Sequence, residues 1–235
     1  LGPSAAGPCT EDGMSLEEVS EGGISLAQAP TTPVPLGSLQ LDGSSTLPGS
    51  YMPTGVVQAG PDTLLLSCAN QSVWSELSRR MCIAKPPMGL VALLKPTEGS
   101  GGHFFPVTHM TTEVQVTSLE FDVPRSLVFL GQQDGIVEVY KLEEEEFKRQ
   151  WGVTAHSLDV TCLKLWGVDR RYLITCGLDK MLRVLDTVSR DFVAELKVGT
   201  AGIACLLPDA AVFMPEVDIM VGSFDQHVYC LTLGW

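Results

Sequence analysis

Apolar runs and turn residues alternate along the chain with a regular period from about residue 114 onward. Three turn segments, 131–135, 177–180 and 222–226, each carry an aspartate, and these aspartates are 45 and 46 residues apart. After each turn, the positions three and five residues beyond the aspartate are apolar: Val137 and Val139, Leu182 and Val184, Val228 and Cys230. Apolar residues at alternating positions indicate β-strands, so the pattern predicts one strand–turn–strand unit in three tandem copies.

The predicted strands fall into groups of up to four per copy. They cover residues 114–121, 127–130, 136–142 and 147–153 in the first copy, 160–165, 172–175, 181–185 and 192–196 in the second, and 203–207, 218–221 and 227–231 in the third. Asp134 and Gly135 predict a tight two-residue hairpin, because both tolerate the positive φ angles that it needs. Inner runs that are apolar on both faces predict sheets packed on each side. The pattern therefore favours an all-β fold.

The first half of the chain follows this pattern less clearly. Residues 1–60 are rich in Gly, Pro, Ser and Thr and carry only acidic charges, which predicts a mostly extended tail. Two stretches of it, 38–41 and 55–58, are strand candidates. Residues 61–112 have the outline of a degenerate copy with a loop insertion, in which Asn70 replaces the turn aspartate. A helix over residues 73–81 fits the same region equally well. Residues 113–235 hold the three regular copies.

Four short strands in about 40–45 residues are typical of a propeller blade. Residues 109–235 resemble the WD-repeat family, in which a Gly-His pair opens each repeat and a turn aspartate follows some two dozen residues later. The matching pairs are His156 and Asp179, 23 residues apart, His109 and Asp134, 25 apart, and Thr200 and Asp225, 25 apart with threonine replacing histidine. The resemblance implies that each aspartate accepts backbone hydrogen bonds within its turn and orients the histidine in a buried polar network.

The copies also depart from the family pattern. The family's tryptophan falls on Tyr140, Leu185 and Leu231, and no serine or threonine of the second strand is a clear match. The second copy is one residue shorter between its turn glycine and its aspartate. These departures predict incomplete polar networks.

Three blades do not close a ring, because closed propellers typically have four to eight. We therefore expect at least three blades, in a propeller that is incomplete or is completed by the N-terminal region or by a partner. Residues 61–112 are expected to supply a degenerate blade, and residues 36–42 or 55–58 an outer strand. Blades missing from the N-terminal side are the other alternative.

Charge and composition narrow the function further. The chain has 28 acidic and 15 basic residues, a net charge of −13, and no basic stripe, which argues against direct sequence-specific binding of nucleic acid and against binding to an anionic membrane. Its longest apolar runs are too short to span a bilayer. Seven cysteines without a C-x-x-C pair favour free thiols in an intracellular protein, in the cytoplasm or nucleus, with an organelle left open.

No catalytic, cofactor or metal site is expected. The histidines and cysteines lack the spacing of metal ligands, and neither a nucleophile elbow nor a phosphate-binding loop occurs. Alternation along the strands instead predicts that Cys162, Cys205 and Cys230 belong to the core.

These observations favour a noncatalytic protein–protein interaction scaffold that is a subunit of a larger multiprotein complex. The expected docking surface is the side that carries the aspartate turns, with Asp159, Lys180 and Gln226 facing the partner. The alternative is a propeller that recognises a peptide or modified peptide, which requires a pocket ringed by acidic and aromatic residues at one mouth of the channel. A propeller hydrolase is a weaker option, because the innermost strands offer few polar groups: Thr117, Ser118, Glu120, Thr161 and Lys164.

Overall fold

The computed structural model describes residues 51–70, 87–96, 104–167, 169–209 and 217–232. These residues form β-strands in four antiparallel sheets, and they include no helix. The sheets follow one another along the chain, and the first strand of each lies beside the first strand of the next. This arrangement is an all-β propeller of four blades, which confirms the predicted all-β propeller of at least three blades.

The strands are as follows. Blade 1 contains β1 (Tyr51–Gly60), β2 (Thr63–Asn70), β3 (Gly89–Pro96) and β4 (Phe104–Thr112). Blade 2 contains β5 (Val116–Asp122), β6 (Leu127–Gln132), β7 (Ile136–Glu143) and β8 (Glu146–Thr154). Blade 3 contains β9 (Val160–Trp166), β10 (Tyr172–Gly177), β11 (Met181–Asp186) and β12 (Phe192–Lys197). Blade 4 contains β13 (Ile203–Pro208), β14 (Ile219–Ser223) and β15 (Val228–Leu231).

The first blade differs from the expectation in where it begins. Strand β1 pairs with β2 and lies beside β5, so residues 55–58 belong to the innermost strand of blade 1 and do not form an outer strand. The sequence analysis placed residues 51–60 in the extended tail. Pro53 and Gly55 interrupt the apolar residues of this segment, and both residue types weaken the sequence signal of a strand. The predicted strand 36–42 and the alternative helix 73–81 lie outside the described residues.

The aspartate turns are wider than the predicted two-residue hairpin. Three residues connect the strands in blades 2 and 3, 133–135 and 178–180, and four connect them in blade 4, 224–227. The third residue of each connection is left-handed, with φ values of 83° at Gly135, 71° at Lys180 and 70° at Gln226. This is the geometry of a type I turn followed by one left-handed residue, which needs a single positive φ. Lysine and glutamine can therefore replace glycine here.

Strand pairing also corrects the alignment of the copies. Gly177 pairs with Val160, whereas the corresponding partner of Val116 is Gln132 and that of Ile203 is Ser223. Gly177 is therefore equivalent to Gln132 and Ser223, and the second copy is not shorter at its turn. Each of these pairs is followed by a β-bulge in the innermost strand. Strand β1 has the corresponding bulge between Pro53 and Gly55. Bulges increase local twist, so the four inner strands curve in the same way around the axis.

The core lies between blades. One buried cluster joins blades 1 and 2 through Leu65, Val91 and Val128. A second cluster joins blades 2 and 3 through Phe129 and Val160. A third joins blades 3 and 4, where Ile174 and Leu182 pack with Ile203, Ile219 and Val221. Sheets that are apolar on both faces form such interfaces, and they fix the order of the blades.

Candidate functional site

Blade 3 carries a complete buried polar network at its turn. His156 Nδ1 lies 2.8 Å from Asp179 Oδ1, and His156 Nε2 lies 3.0 Å from Thr175 Oγ1. The backbone N–H groups of Ser157 and Met181 donate to the two oxygens of Asp179 at 3.1 Å each. The network ties the connection that enters the blade to the turn between its second and third strands. Thr175 is thus the second-strand hydroxyl that the sequence analysis did not identify.

The protonation state of the pair follows from burial. Burial lowers the pKa of His156 below its usual 6.5, and the hydrogen bond to Asp179 opposes this shift only in part. Burial would raise the pKa of Asp179, but hydrogen bonds from His156 and from the Ser157 backbone lower it overall. A neutral imidazole therefore donates through Nδ1–H to an ionised carboxylate and accepts from Thr175 through Nε2.

Arg183 closes the network from the third strand. Its Nη1 donates to Ala155 O at 2.8 Å and to Asp179 Oδ2 at 3.2 Å. The cation lies four residues after the turn aspartate, at a position where the family pattern offered no expectation. It pairs with the Asp179 carboxylate, and, after burial, its positive charge is a further cause that lowers the pKa of His156.

Blade 4 builds a different network around the same turn position. Asp225 Oδ2 accepts from the backbone N–H of Thr200 at 2.8 Å, from its hydroxyl at 3.2 Å and from the Tyr229 hydroxyl at 2.9 Å. Donation by the Thr200 backbone is the largest cause of the lowered pKa of Asp225. Thr200 therefore takes the place of the histidine, as its spacing predicts, and Tyr229 occupies the position of Arg183.

Blade 2 lacks the histidine contact. His109 is an exposed residue of β4 that pairs with Ala92, and no hydrogen bond between the described residues joins it to Asp134. Among the hydrogen bonds of the described residues, Asp134 Oδ1 accepts one, from the backbone of Ile136 at 3.2 Å. The equivalent of Arg183 is Glu138, which contacts Gln132, Tyr140 and Arg149 instead. The spacing of 25 residues fits this pair only by chance, because His109 lies in the outer strand of blade 1.

A second buried carboxylate in blade 3 was not identified from the sequence. Asp186 ends β11 and accepts from Arg171 Nε at 2.8 Å and from the backbone of Val188 at 2.8 Å. The Arg171 hydrogen bond is the main cause that lowers the pKa of Asp186 to about 2. The signal available in the sequence is its position directly after Leu185, where the family's tryptophan falls.

The three residues expected to face a partner lie on one side of the propeller. Gln226 is exposed, whereas Asp159 and Lys180 are half-buried. The Asp159 carbonyl accepts from the backbone of Leu178 at 3.0 Å, which holds the connection into blade 3 against the turn of the same blade. These three residues lie on the same surface, but among the described residues no hydrogen bond or ion pair joins their side chains.

The central axis offers a polar cleft of about 540 Å³. Lys164 Nζ lies 2.7 Å from Glu120 Oε2, and this ion pair joins blades 2 and 3. Arg170 and Phe121 line the same cleft. Thr117 and Thr161 donate to second-strand carbonyls, of Gly131 at 3.0 Å and Cys176 at 3.1 Å. The polar groups of the inner strands are thus largely used in structural contacts. The cleft differs from the acidic and aromatic ring that peptide recognition would require.

Cysteines provide a further correction. The described cysteines are free thiols, and Cys68 and Cys176 are buried. Cys162 is half-buried and packs between blades 3 and 4. Cys205 and Cys230 are exposed, so their assignment to the core is wrong. They lie on the face of blade 4 that points away from blade 3, where alternation alone cannot show whether another sheet follows.

Comparison with known proteins identifies the repeat. Residues 147–186, which span β8 to the end of β11, match the family model described as WD domain, G-beta repeat. The fold is a β-propeller, and this match identifies a WD repeat within it. The match ends at Asp186 and includes His156, Thr175 and Asp179, so the family pattern is strongest where the polar network is complete. No curated protein matches the chain.

WD-repeat propellers typically act as protein-interaction scaffolds and are generally noncatalytic. Among the described residues, no group of histidine, cysteine or carboxylate side chains is placed to hold a metal ion. In the same residues, no helix has the length and apolar character needed to cross a membrane.

Proposed function

We propose that this WD-repeat propeller is a noncatalytic protein–protein interaction scaffold and a subunit of a larger intracellular multiprotein complex. The polar groups most suited to chemistry, His156, Asp179 and Arg183, hydrogen-bond to one another and to backbone at the turn. Their role in the geometry of blade 3 explains them without a substrate. The five described cysteines are free thiols, which supports an intracellular location.

The docking surface is the side that carries the aspartate turns, which we call the turn face. It consists of the turns 133–135, 178–180 and 224–226 and of the connections 155–159 and 198–202. Backbone hydrogen bonds hold these segments together: Gly135 O accepts from His156 N at 2.9 Å, and Gly202 O accepts from Phe224 N at 2.9 Å. A surface that is already rigid loses little conformational entropy when a partner binds.

The observation that carries this proposal is a pair of large apolar side chains exposed on the turn face. Leu158 is 51% exposed in the connection into blade 3, and Phe224 is 63% exposed at the turn of blade 4. Apolar anchors surrounded by polar groups are typical of interaction hot spots. Asp159, Lys180 and Gln226 supply those polar groups, so both charge and apolar area are available to a protein partner.

An affinity experiment with matched variants tests the turn face. The tagged full chain is isolated from cells as wild type, as Leu158→Asp/Phe224→Asp and as Val188→Asp, and its partners are quantified by mass spectrometry. Val188 is 67% exposed in the hairpin on the opposite side, so its replacement controls for the added charge. We expect the double variant to lose its partners by about tenfold or more, since hot-spot side chains contribute about 2 kcal/mol or more. Equal recovery by all three chains would contradict the docking surface.

A further inference from the structure

A cavity lies beside the aspartate turn of blade 2, where the connection from blade 1 enters that blade. Its volume is about 290 Å³. Three carboxylates line it, those of Glu113, Asp134 and Glu138, together with the aromatic ring of Tyr140. Pockets that enclose whole ligands measure about 300–1,000 Å³, so this volume suits one side chain of a larger molecule.

The equivalent place in blade 3 holds a guanidinium group of the chain itself. Strand pairing makes Asp134 equivalent to Asp179, and it makes Glu138 equivalent to Arg183 in the same way. Arg183 Nη1 donates to Asp179 Oδ2 at 3.2 Å and to Ala155 O at 2.8 Å. Blade 2 therefore keeps the turn aspartate but has a carboxylate where blade 3 has the cation.

Blade 2 also differs at the position of the buried histidine. Strand pairing places Thr112 where blade 3 has His156. The hydroxyl of Thr112 donates to Val114 O at 2.6 Å and not to the turn aspartate. Among the described residues, Asp134 thus has neither of the two side-chain donors that its equivalent in blade 3 has.

Gln132 gives an independent indication that the cavity takes a hydrogen-bond donor. It is only 4% exposed, and it lines the cavity. Its Nε2 donates to Glu138 Oε2 at 3.1 Å, which directs its Oε1 away from that carboxylate. In the described part of the chain, this Oε1 accepts no hydrogen bond, although buried polar groups normally have a partner.

The other polar groups around the cavity show the same imbalance. Asp134 accepts one hydrogen bond, from a backbone N–H, and Glu113 accepts none through its side chain within the described residues. The side-chain donors of Gln132 and Tyr140 are both bound to Glu138. The cavity therefore offers acceptors and negative charge, which suit a cationic group that only donates.

We propose that this cavity binds the side chain of an arginine from a protein partner. A guanidinium has five N–H donors in one plane and no acceptor, so it can pair with Asp134 and Glu113 and donate to Gln132 Oε1. Its flat face can also stack on the ring of Tyr140, which favours arginine over lysine. The partner thus supplies to blade 2 the cation that Arg183 supplies within blade 3.

The inference rests on the proposed docking at the turn face, and it names the chemistry of the partner there. Asp134 belongs to the turn 133–135, so the cavity is part of that face. The net charge of −13 favours the approach of a basic partner. The exposed side chains of Leu158 and Phe224 supply apolar area on the same face, and the arginine supplies specificity.

Peptide titration of the full chain tests the site. The probes are acetyl-Gly-Arg-Gly-amide and the same peptide with citrulline, which has nearly the shape of arginine but no charge. NMR of the isotope-labelled chain reports binding through the amide signals of Ile136 and Glu138, which line the cavity. We expect the arginine peptide to bind at least about tenfold more tightly. Equal affinity for the two peptides would overturn the inference.

Matched variants locate the binding site. Asp134→Asn/Glu113→Gln removes two charges and keeps an acceptor in the turn, and Glu144→Gln/Glu146→Gln removes two exposed charges at another hairpin. The first variant should weaken binding of the arginine peptide by about tenfold or more. The second should weaken it by less than about twofold, since salt screens distant charges. Equal weakening would indicate long-range attraction without a site and would overturn the inference.

A third variant distinguishes a partner from the arginines of the same chain. Arg79 and Arg80 lie between β2 and β3, outside the described residues. We expect Arg79→Gln/Arg80→Gln to bind the arginine peptide as wild type does. If the peptide bound this variant and not wild type, an arginine of the chain itself would occupy the cavity, which would overturn the inference.

Recovery of partners from cells separates this inference from the scaffold function. Asp134→Asn/Glu113→Gln should reduce the recovery of turn-face partners by about tenfold or more, and Glu144→Gln/Glu146→Gln should not. If the first variant recovered its partners fully while Leu158→Asp/Phe224→Asp lost them, the arginine inference would fail and the scaffold proposal would stand. A wild-type chain that recovers no specific partner would instead contradict the scaffold function.

Discussion

Three aspartates occupy the same turn position and have different numbers of partners. Within the described part of the chain, Asp179 accepts from His156, Ser157, Met181 and Arg183, whereas Asp134 accepts from the backbone of Ile136 alone. The side chain of Asp179 is buried and Asp134 is exposed. Their contributions to stability should differ accordingly, because groups left unpaired in a buried network are costly.

We expect Asp179→Ala to lower the free energy of unfolding by about 2–4 kcal/mol, because it leaves His156 Nδ1 and two backbone donors without their acceptor. Asp134→Ala should cost less than about 1 kcal/mol, the usual value of one exposed hydrogen bond. Urea denaturation of both variants measures the difference. Equal losses would show that the network in blade 3 adds nothing to the turn itself.

The neutral state of His156 predicts how stability depends on pH. Its pKa is lowered in the folded chain, so below about 6.5 the unfolded chain binds more protons than the native one. Stability should therefore be complete above pH 6.5 and fall as the pH drops from there toward the lowered pKa. Urea titrations across this range should show the slope in wild type and in His227→Gln, and a smaller slope in His156→Gln. An unchanged slope in His156→Gln would contradict the assignment.

The turns show, at the scale of an element, how one backbone geometry accepts different residues. Gly135 has φ of 83°, and a Cβ there would lie 2.0 Å from His156 O. Lys180 has φ of 71° at the equivalent position, and its side chain takes part in none of the hydrogen bonds of the turn. The left-handed conformation is thus tolerated in blade 3 at a cost in strain, and in blade 2 it is combined with a close backbone contact.

Opposite substitutions at these two positions should have opposite effects. We expect Gly135→Ala to lower the free energy of unfolding by about 2 kcal/mol or more, through the left-handed φ and the clash with the next blade. Lys180→Gly should be neutral or stabilising by up to about 1 kcal/mol, because it removes the strain at the cost of unfolded-state entropy. Thermal melts of both variants decide the matter, and a destabilised Lys180→Gly would contradict the strain argument.

The connection in blade 1 shows the limit of the turn pattern. Strand β2 ends at Asn70 and β3 begins at Gly89, so residues 71–88 lie between two strands that only three or four residues connect in the other blades. Asn70 stands where the turn aspartate would lie and donates through its amide to Pro87 O at 3.0 Å. The sequence analysis identified Asn70 as the replacement from local residue types, whereas its two alternatives for the following residues, a loop insertion or a helix over 73–81, lie outside the described residues.

Contacts between blades organise the molecule as a whole. Arg125, in the first turn of blade 2, hydrogen-bonds to Asp122 and reaches blade 3 at Thr187 Oγ1, 2.9 Å away, and at Arg170 O. Asp122 is 1% exposed, and its Oδ1 has no hydrogen-bond partner among the residues that the structure describes. A single guanidinium therefore compensates a buried carboxylate and joins two blades.

We expect Arg125→Ala to cost about 2–4 kcal/mol of stability, since it leaves Asp122 buried without a counter-charge. Arg149→Ala is the matched control, because Arg149 pairs with Glu138 at the surface and such pairs contribute about 0–1 kcal/mol. Urea denaturation gives the two values, and hydrogen exchange should rise around residues 169–171 in Arg125→Ala alone. A loss in Arg125→Ala no larger than in the control would show that the blades are coupled by apolar contacts only.

The sequence by itself determined the strands of the three regular copies, their turn positions and the His156–Asp179 pair, because these depend on local alternation, turn residues and fixed spacing. It also predicted Thr200 in place of histidine. It misplaced His109, missed Thr175 and Asp186, and assigned Cys205 and Cys230 to the core. Each of these depends on which strand lies beside which, or on whether a further sheet covers a face. Only the tertiary structure decided them, since burial and pairing arise from contacts between residues far apart in the chain.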